Sequence, residues 1–219
     1  MSKLVFITGA SSGIGQALAL RFYRAGYHLA LAARRTSEVQ SWAARQGISE
    51  NSYRIYSADV AVSDSIVAAG RDCLASQGLP DVVVANAGFA DRTPMLEQDD
   101  AGFARSFDTI LWSFLRLARA AAPAMAGAQH GRIVAISSFV AHVFRAGVAS
   151  FPATAAAKAG VEALSRGLAL ELAGQSVTVN CVAPGFTRKD ATGHSALPAE
   201  QWAKVVASIP LGRLGTPDD

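Results

Sequence analysis

The stretch Thr8-Gly9-Ala10-Ser11-Ser12-Gly13-Ile14-Gly15 constrains this chain most. It follows the apolar run Leu4-Val5-Phe6-Ile7. It precedes Ile14, Leu18, Phe22 and Ala25, which recur near the 3.6-residue period of a helix. Strand, glycine turn and helix in that order are the context in which a glycine motif points to dinucleotide binding. Glycine lacks a Cβ and tolerates positive φ, so the backbone can approach a pyrophosphate closely. The helix behind it aims free N–H groups and the positive end of its dipole at the phosphates. Gly9, Ser11, Ser12, Gly13, Ile14 and Gly15 are therefore candidate cofactor contacts. The spacing is G-x-x-x-G-x-G rather than the commoner G-x-G-x-x-G. The plain alternative, a glycine-rich surface turn, is opposed by the pattern downstream.

That pattern alternates strands with helices. Apolar runs at 28–33, 53–56, 81–85, 131–136 and 177–182 read as strands. Helices are expected from Thr36 to Arg45, from Ser63 to before Gly78, from about Phe103 to Met125, and from Ala153 to Ala173, with Thr36 and Ser63 as caps. Six strands alternating with helices predict an α/β fold: a Rossmann-like, doubly wound parallel sheet in a three-layer α/β/α arrangement. One domain over residues 1–219 is expected. Ligands bind such sheets at the carboxyl ends of the strands. The Gly loop, Arg34-Arg35, Asn86-Ala87-Gly88, Ser137-Ser138 and Pro184-Gly185 all fall there. An acidic residue after the second strand would bind the 2′-OH of NAD, whereas arginine accommodates the 2′-phosphate of NADP. Arg34 and Arg35 offer two guanidiniums and no carboxylate, which favours NADP(H) over a merely solvated arginine pair.

Composition excludes several other classes. At 219 residues with 51% hydrophobic and 17% charged residues, the chain is globular rather than disordered. Its net charge is +3, and no run of Lys or Arg exceeds two residues, so no nucleic-acid footprint is read. Four histidines without ligand spacing argue against a metal site. Cys73 and Cys181, far apart, fit reduced thiols in a cytoplasmic protein. No signal peptide or membrane span is read, so no membrane partner is expected.

In this order the motifs resemble the short-chain dehydrogenase/reductase family over nearly the whole chain. Thr8–Gly15 is similar to its cofactor loop, Asp59-Val60 to the pair near the adenine, and Asn86-Ala87-Gly88 to its Asn-Ala-Gly motif. Ser138 resembles the catalytic serine, and Lys158-Ala159-Gly160 the stretch beginning at the catalytic lysine. Asn180-Cys181-Val182-Ala183-Pro184-Gly185 resembles its Asn-x-Val-x-Pro-Gly segment, with Thr187 just beyond. The resemblance implies hydride transfer between NADP(H) and a small-molecule carbonyl or secondary alcohol. It also implies a lysine that holds the nicotinamide ribose, and a homo-oligomer built partly on the helix carrying Trp112, Phe114 and Leu115.

Two positions depart from the family pattern. Four residues before Lys158, where the family has its acid/base tyrosine, stands Thr154; where it has a helix asparagine stands Ile110. The catalytic candidates are thus Ser138, Thr154 and Lys158. The alternative reading is an NADP(H)-binding relative without turnover, serving as a sensor or assembly subunit. The segment 209–219 resembles the one that precedes one more helix and a last strand in the family, so the sheet is expected to lack the family's last strand, whether as a fragment, with a partner over the gap, or with an unprotected edge. Residues 186–209 take the place of the family's substrate lid; Thr187, Arg188 and Lys189 read first as a solvated loop, and alternatively as contacts to cofactor phosphate or substrate. Phe139, Val143 and Phe144 are candidates for an apolar substrate pocket, and a loop packing on the core explains them equally well.

Overall fold

In the first strand, β1 (Leu4–Thr8), alternate side chains enter two separate cores. Leu4 and Phe6 face one, Val5 and Ile7 the other, as the two-residue strand period requires of a strand covered on both sides. The computed structural model describes residues 3–144, 150–188 and 199–219. After β1 come α1 (Gly13–Arg24), β2 (His28–Ala33), α2 (Thr36–Arg45), β3 (Tyr53–Ser57), α3 (Ser63–Gln77) and β4 (Val82–Ala85). Then follow α4 (Asp100–Phe107), a π-helical turn (Asp108–Trp112), α5 (Ser113–Gly127), β5 (Gly131–Ile136), α6 (Pro152–Leu172), β6 (Val177–Val182) and α7 (Ala199–Ala207).

The six strands form one parallel sheet in the order β3-β2-β1-β4-β5-β6. The chain reverses direction across the sheet between β1 and β4, which opens a crevice at their carboxyl ends. Helices α3, α5 and α6 cover one face through Ile66, Cys73, Phe114, Leu117, Met125, Ala157 and Val161. Helices α1 and α2 cover the other through Ala19, Val39, Trp42 and Ala43. On that second face, beside α1, an apolar cleft of about 1050 Å³ runs over Val84, Val134, Ile136 and Val182 and reaches Phe139, Val143, Phe144, Phe151 and Phe186. Of these, Val143 and Phe144 are exposed along the cleft rather than packed into the core. Strand β6 is an edge strand among the described residues.

Several local expectations shift. Arg35 and Val62, not Thr36 and Ser63, occupy the N-cap positions of α2 and α3, and neither makes a side-chain cap bond. The long central helix begins earlier than expected, because the Asp99 carboxylate accepts the Gly102 N–H and caps α4 at Asp100. It is also not one regular helix, since the π-turn interrupts it. Of the side chains on this helix read as core or subunit interface, Phe114 is buried in the core and Trp112 is exposed, outside it. Lys189 lies outside the described residues.

Candidate functional site

The crevice is built around Thr8, the last residue of β1. Its hydroxyl donates to the Val84 carbonyl at 3.4 Å and accepts the N–H groups of Asn86 (3.0 Å) and Ala87 (3.1 Å). The Asn86 amide returns the contact, donating to the carbonyls of Thr8 (2.9 Å) and Gly9 (3.3 Å). The Asn-Ala-Gly segment after β4 is thus the brace of the glycine loop after β1. From the other side the Trp42 indole donates to the Ala10 carbonyl at 3.0 Å.

That brace leaves no room at two glycines. Gly9 has φ +69°, and a Cβ there would meet the Ala87 Cα at 2.9 Å. A Cβ on Gly15 would lie 2.3 Å from the Gly9 carbonyl oxygen and 2.6 Å from Asn86 Nδ2. The start of α1 suits an anion. Ser12 makes no side-chain cap bond there, and the first turn holds no acidic residue, so the dipole end and its N–H groups remain available to a phosphate.

The adenosine side also fits a phosphorylated ribose. Arg34, exposed after β2, lies 3.8 Å from the Asp59 carboxylate. Arg35 donates to Ser11 Oγ at 3.2 Å and pairs with Glu38 at 3.1 Å. Two guanidiniums thus stand between the glycine loop and the end of β3. Asp59 turns its own loop, accepting the Ala61 N–H at 3.0 Å, and Val60 is buried beside it.

At the other end of the crevice Lys158 projects from α6, 8% exposed, and its ammonium donates to the Ile136 carbonyl at the end of β5. A Cβ on Gly88 would lie 3.5 Å from Lys158 Nζ and 3.7 Å from Ile110 Cγ1, so Lys158, Gly88 and Ile110 converge. Ile110 sits in the π-turn, whose loosened carbonyls are taken up by Ser113: its hydroxyl contacts those of Thr109 (2.6 Å) and Ile110 (3.2 Å). Ser138 follows β5 in extended conformation, and its Oγ accepts the Val140 N–H at 3.4 Å. The Pro184 carbonyl accepts the Phe139 N–H, and the Phe139 and Phe186 rings meet at a tilt of 52° with centroids 4.4 Å apart. This pins the Pro184-Gly185 turn against Ser138. The Thr187 hydroxyl is turned into its own loop, donating to the Gly185 carbonyl.

Thr154 shares the Lys158 face of α6, four residues earlier. It is 4% exposed, and its hydroxyl accepts the Asp91 N–H at 3.0 Å. Sequence reasoning missed Asp91. This buried carboxylate accepts the Thr93 N–H (3.0 Å) and hydroxyl (2.8 Å), the Gln98 amide (2.8 Å) and Arg105 (3.3 Å), folding the loop after Gly88 onto α4. The Thr93 N–H, with its hydroxyl, Gln98 and Arg105, outweighs burial and holds the Asp91 pKa below the ordinary aspartate value. Its stabilising contribution is complete above the unfolded value of about 3.9 and is lost as pH falls through the lower folded value. Asp91→Asn is expected to remove that part of the acid-induced loss of stability, as urea midpoints between about pH 6 and 3 would measure. An unchanged slope below about pH 4 would contradict it.

No described helix is long and apolar enough to cross a membrane, and no described group of three or more His, Cys, Asp or Glu is placed to hold a metal.

Residues 9–219 match the family described as Enoyl-(Acyl carrier protein) reductase. The chain is 35% identical over 220 residues to the 3-oxoacyl-[acyl-carrier-protein] reductase FabG of Pseudomonas aeruginosa, covering 99% of this chain and 86% of that one. It is 35% identical over 213 residues to FabG of Escherichia coli, with 97% and 84% covered. Among solved structures, a short-chain type dehydrogenase/reductase of Mycobacterium marinum superposes with TM-score 0.86 at 29% identity, over 99% of this chain and 83% of that one. A Beutenbergia cavernae protein assigned as an NAD(P)-dependent gluconate 5-dehydrogenase, with NADP bound at low occupancy, gives TM-score 0.89 at 33% identity, over 99% and 85%. With its parallel sheet, braced glycine loop and lysine at the end of the fifth strand, the chain belongs to the short-chain dehydrogenase/reductase family of oxidoreductases.

Proposed function

We propose that residues 1–219 form one NADP(H)-dependent reductase domain that reduces the carbonyl of an apolar small molecule to a secondary alcohol, at a rate limited by a weak general acid. The observation that carries this reading is the convergence of the Gly88 backbone and the Lys158 ammonium at the end of a crevice whose other end is the braced glycine loop. Gly9, Ser11, Ser12, Gly13, Ile14 and Gly15 would hold the pyrophosphate, Arg34 and Arg35 the 2′-phosphate, and Asp59 and Val60 the adenine edge. Asn86, Ala87, Gly88 and Lys158 would flank the nicotinamide riboside, with Pro184, Gly185 and Thr187 against the nicotinamide. When bound, NADPH supplies the hydride. Ser138 binds the carbonyl oxygen through its hydroxyl. Lys158 orients the ribose hydroxyls and lowers the pKa of a neighbouring acid. Thr154 occupies the acid's position on α6 with a poorer proton donor.

The apolar cleft and the names of the FabG relatives together point to a 3-oxoacyl thioester as the substrate class to test first. A homo-oligomer in the cytoplasm is part of the same proposal. One observation favours the rival reading, an NADP(H)-binding protein without turnover: the Thr154 hydroxyl is engaged by the Asp91 amide.

Cofactor choice is the first experiment. Replacing Arg34 and Arg35 together by aspartate is expected to weaken NADPH binding about 100-fold, equivalent to about 2.7 kcal/mol. NADH binding should change only a few-fold, as nicotinamide fluorescence would measure. An unaltered NADPH/NADH ratio would mean that these arginines do not read the 2′-phosphate.

A further inference from the structure

One turn beyond Lys158 on α6 stands Glu162, a carboxylate that the proposed chemistry does not use. It is 8% exposed. Its Oε1 accepts the hydroxyl of Ser137 at 2.5 Å and lies 2.9 Å from His142 Nε2. Arg166 approaches its other oxygen at 3.9 Å. The placement of the two close partners is informative. Ser137 immediately precedes Ser138, and His142 closes the short 3-10 turn (Phe139–Ala141) that Ser138 opens. Lys158, meanwhile, grips Ile136, the residue before Ser137. Helix α6 therefore holds the end of β5 at successive residues: Ile136 by Lys158 and Ser137 by Glu162, with His142 as a third tie beyond the turn.

We infer that Glu162 is a positioning residue that fixes Ser138 relative to Lys158 by clamping Ser137 and His142 on either side of it. A hydroxyl–carboxylate bond of this length is among the stronger protein hydrogen bonds. It adds to the grip of Lys158 on Ile136, the Ser137 N–H to Val182 contact and the Phe139 N–H to Pro184 contact. Burial pushes the Glu162 pKa up, but the bonds from Ser137 and His142, with the charges of His142 and Arg166, more than offset it and hold it below the ordinary glutamate value, so the group remains an anion at neutral pH. Lys158 and Arg166 face the same cluster from α6, and Cys181, bonded to Ser165, faces it from β6.

What Ser138 does for catalysis rests on the proposed reductase reading; the clamp itself does not. Glu162→Gln preserves shape but removes the charge. NADPH-dependent reduction of a 3-oxoacyl thioester is expected to lose about 10- to 100-fold in kcat, the cost of misplacing a group by an ångström or less. NADPH affinity should stay within about twofold. Ser137→Ala should reproduce the loss. In a Ser138→Ala background Glu162→Gln should cost nothing more, because the residue through which it acts is gone. Independently of turnover, amide hydrogen exchange at residues 138–142 should accelerate in Glu162→Gln while that of α6 does not. An equal loss in both serine backgrounds, or unchanged exchange at 138–142, overturns the inference. If neither the parent chain nor Thr154→Tyr turns over, the reductase reading fails, and the exchange measurement still decides the clamp.

Discussion

Gly15→Ala is expected to abolish NADPH binding, raising the Kd by at least about 100-fold, and to lower stability by about 1–3 kcal/mol, the usual cost of overpacking. The added methyl meets a main-chain carbonyl, Gly9 O, at 2.3 Å and the Asn86 amide nitrogen at 2.6 Å. Neither can yield as the tip of a flexible side chain would. The Gly9 carbonyl belongs to the loop that must receive the pyrophosphate, and the Asn86 amide holds that loop to the end of β4 through Thr8 and Gly9. Relieving the clash therefore breaks the brace. Gly13 is the control: its φ is +57°, but a Cβ there meets nothing within 4 Å. Gly13→Ala should cost about 1–2 kcal/mol of backbone strain and leave most binding intact. Thermal melts and fluorescence titration of the two variants separate these outcomes. Equal damage from both would show that backbone conformation, not close approach, governs the loop.

Thr154→Tyr is expected to raise kcat for carbonyl reduction by about 10²- to 10⁴-fold, the usual worth of a positioned general acid. Residues 154 and 158 share one face of α6. A phenol of ordinary pKa about 10 placed there meets the field of the Lys158 ammonium, which stabilises the phenolate and brings its pKa toward neutrality. An aliphatic hydroxyl is a far weaker acid and is shorter by a ring. The gain has an opposing cost. Thr154 Oγ1 is the acceptor for the buried Asp91 N–H, and leaving that donor unpaired costs about 1–3 kcal/mol. The variant should therefore be faster and less stable, a combination that steady-state kinetics and urea unfolding would record together. A gain in kcat would exclude the reading of this protein as a scaffold that has lost the rest of its chemistry. A variant that binds NADPH normally but gains nothing would point instead to Ile110, whose side chain cannot hold a water by hydrogen bonds.

The sheet was legible because its signals are local. Val82-Val83-Val84 or Ile133-Val134 can scarcely be anything but strands buried on both faces, and six such runs between helices leave one common architecture. The glycine loop and Arg34-Arg35 were legible for the same reason: each carries its chemistry in adjacent residues. What the sequence concealed depends on contacts between distant residues. Asp91 reaches Thr154 across 63 residues and Glu162 reaches Ser137 across 25; nothing adjacent to either carboxylate marks it as buried. The spacing of Glu162, four residues after Lys158, was the available signal, since it places both on one face of α6. The π-turn at Asp108–Trp112 has no glycine or proline to announce it, and its stabilising bonds from Ser113 back to Thr109 and Ile110 are ordinary helix spacings. The helices at Thr36 and Ser63 start where expected, but the N-cap is the residue before each, because a serine or threonine near a helix start need not be the residue that caps it.

The most direct test of the central claim is to follow NADPH absorbance while the purified protein meets a 3-oxoacyl thioester, with NADH in a parallel cell. Slow oxidation of NADPH that requires the thioester, is abolished by Lys158→Ala and is much weaker with NADH is the expected result. NADPH binding without thioester-dependent oxidation, in the parent and in Thr154→Tyr alike, would contradict the assignment of this chain as a carbonyl reductase.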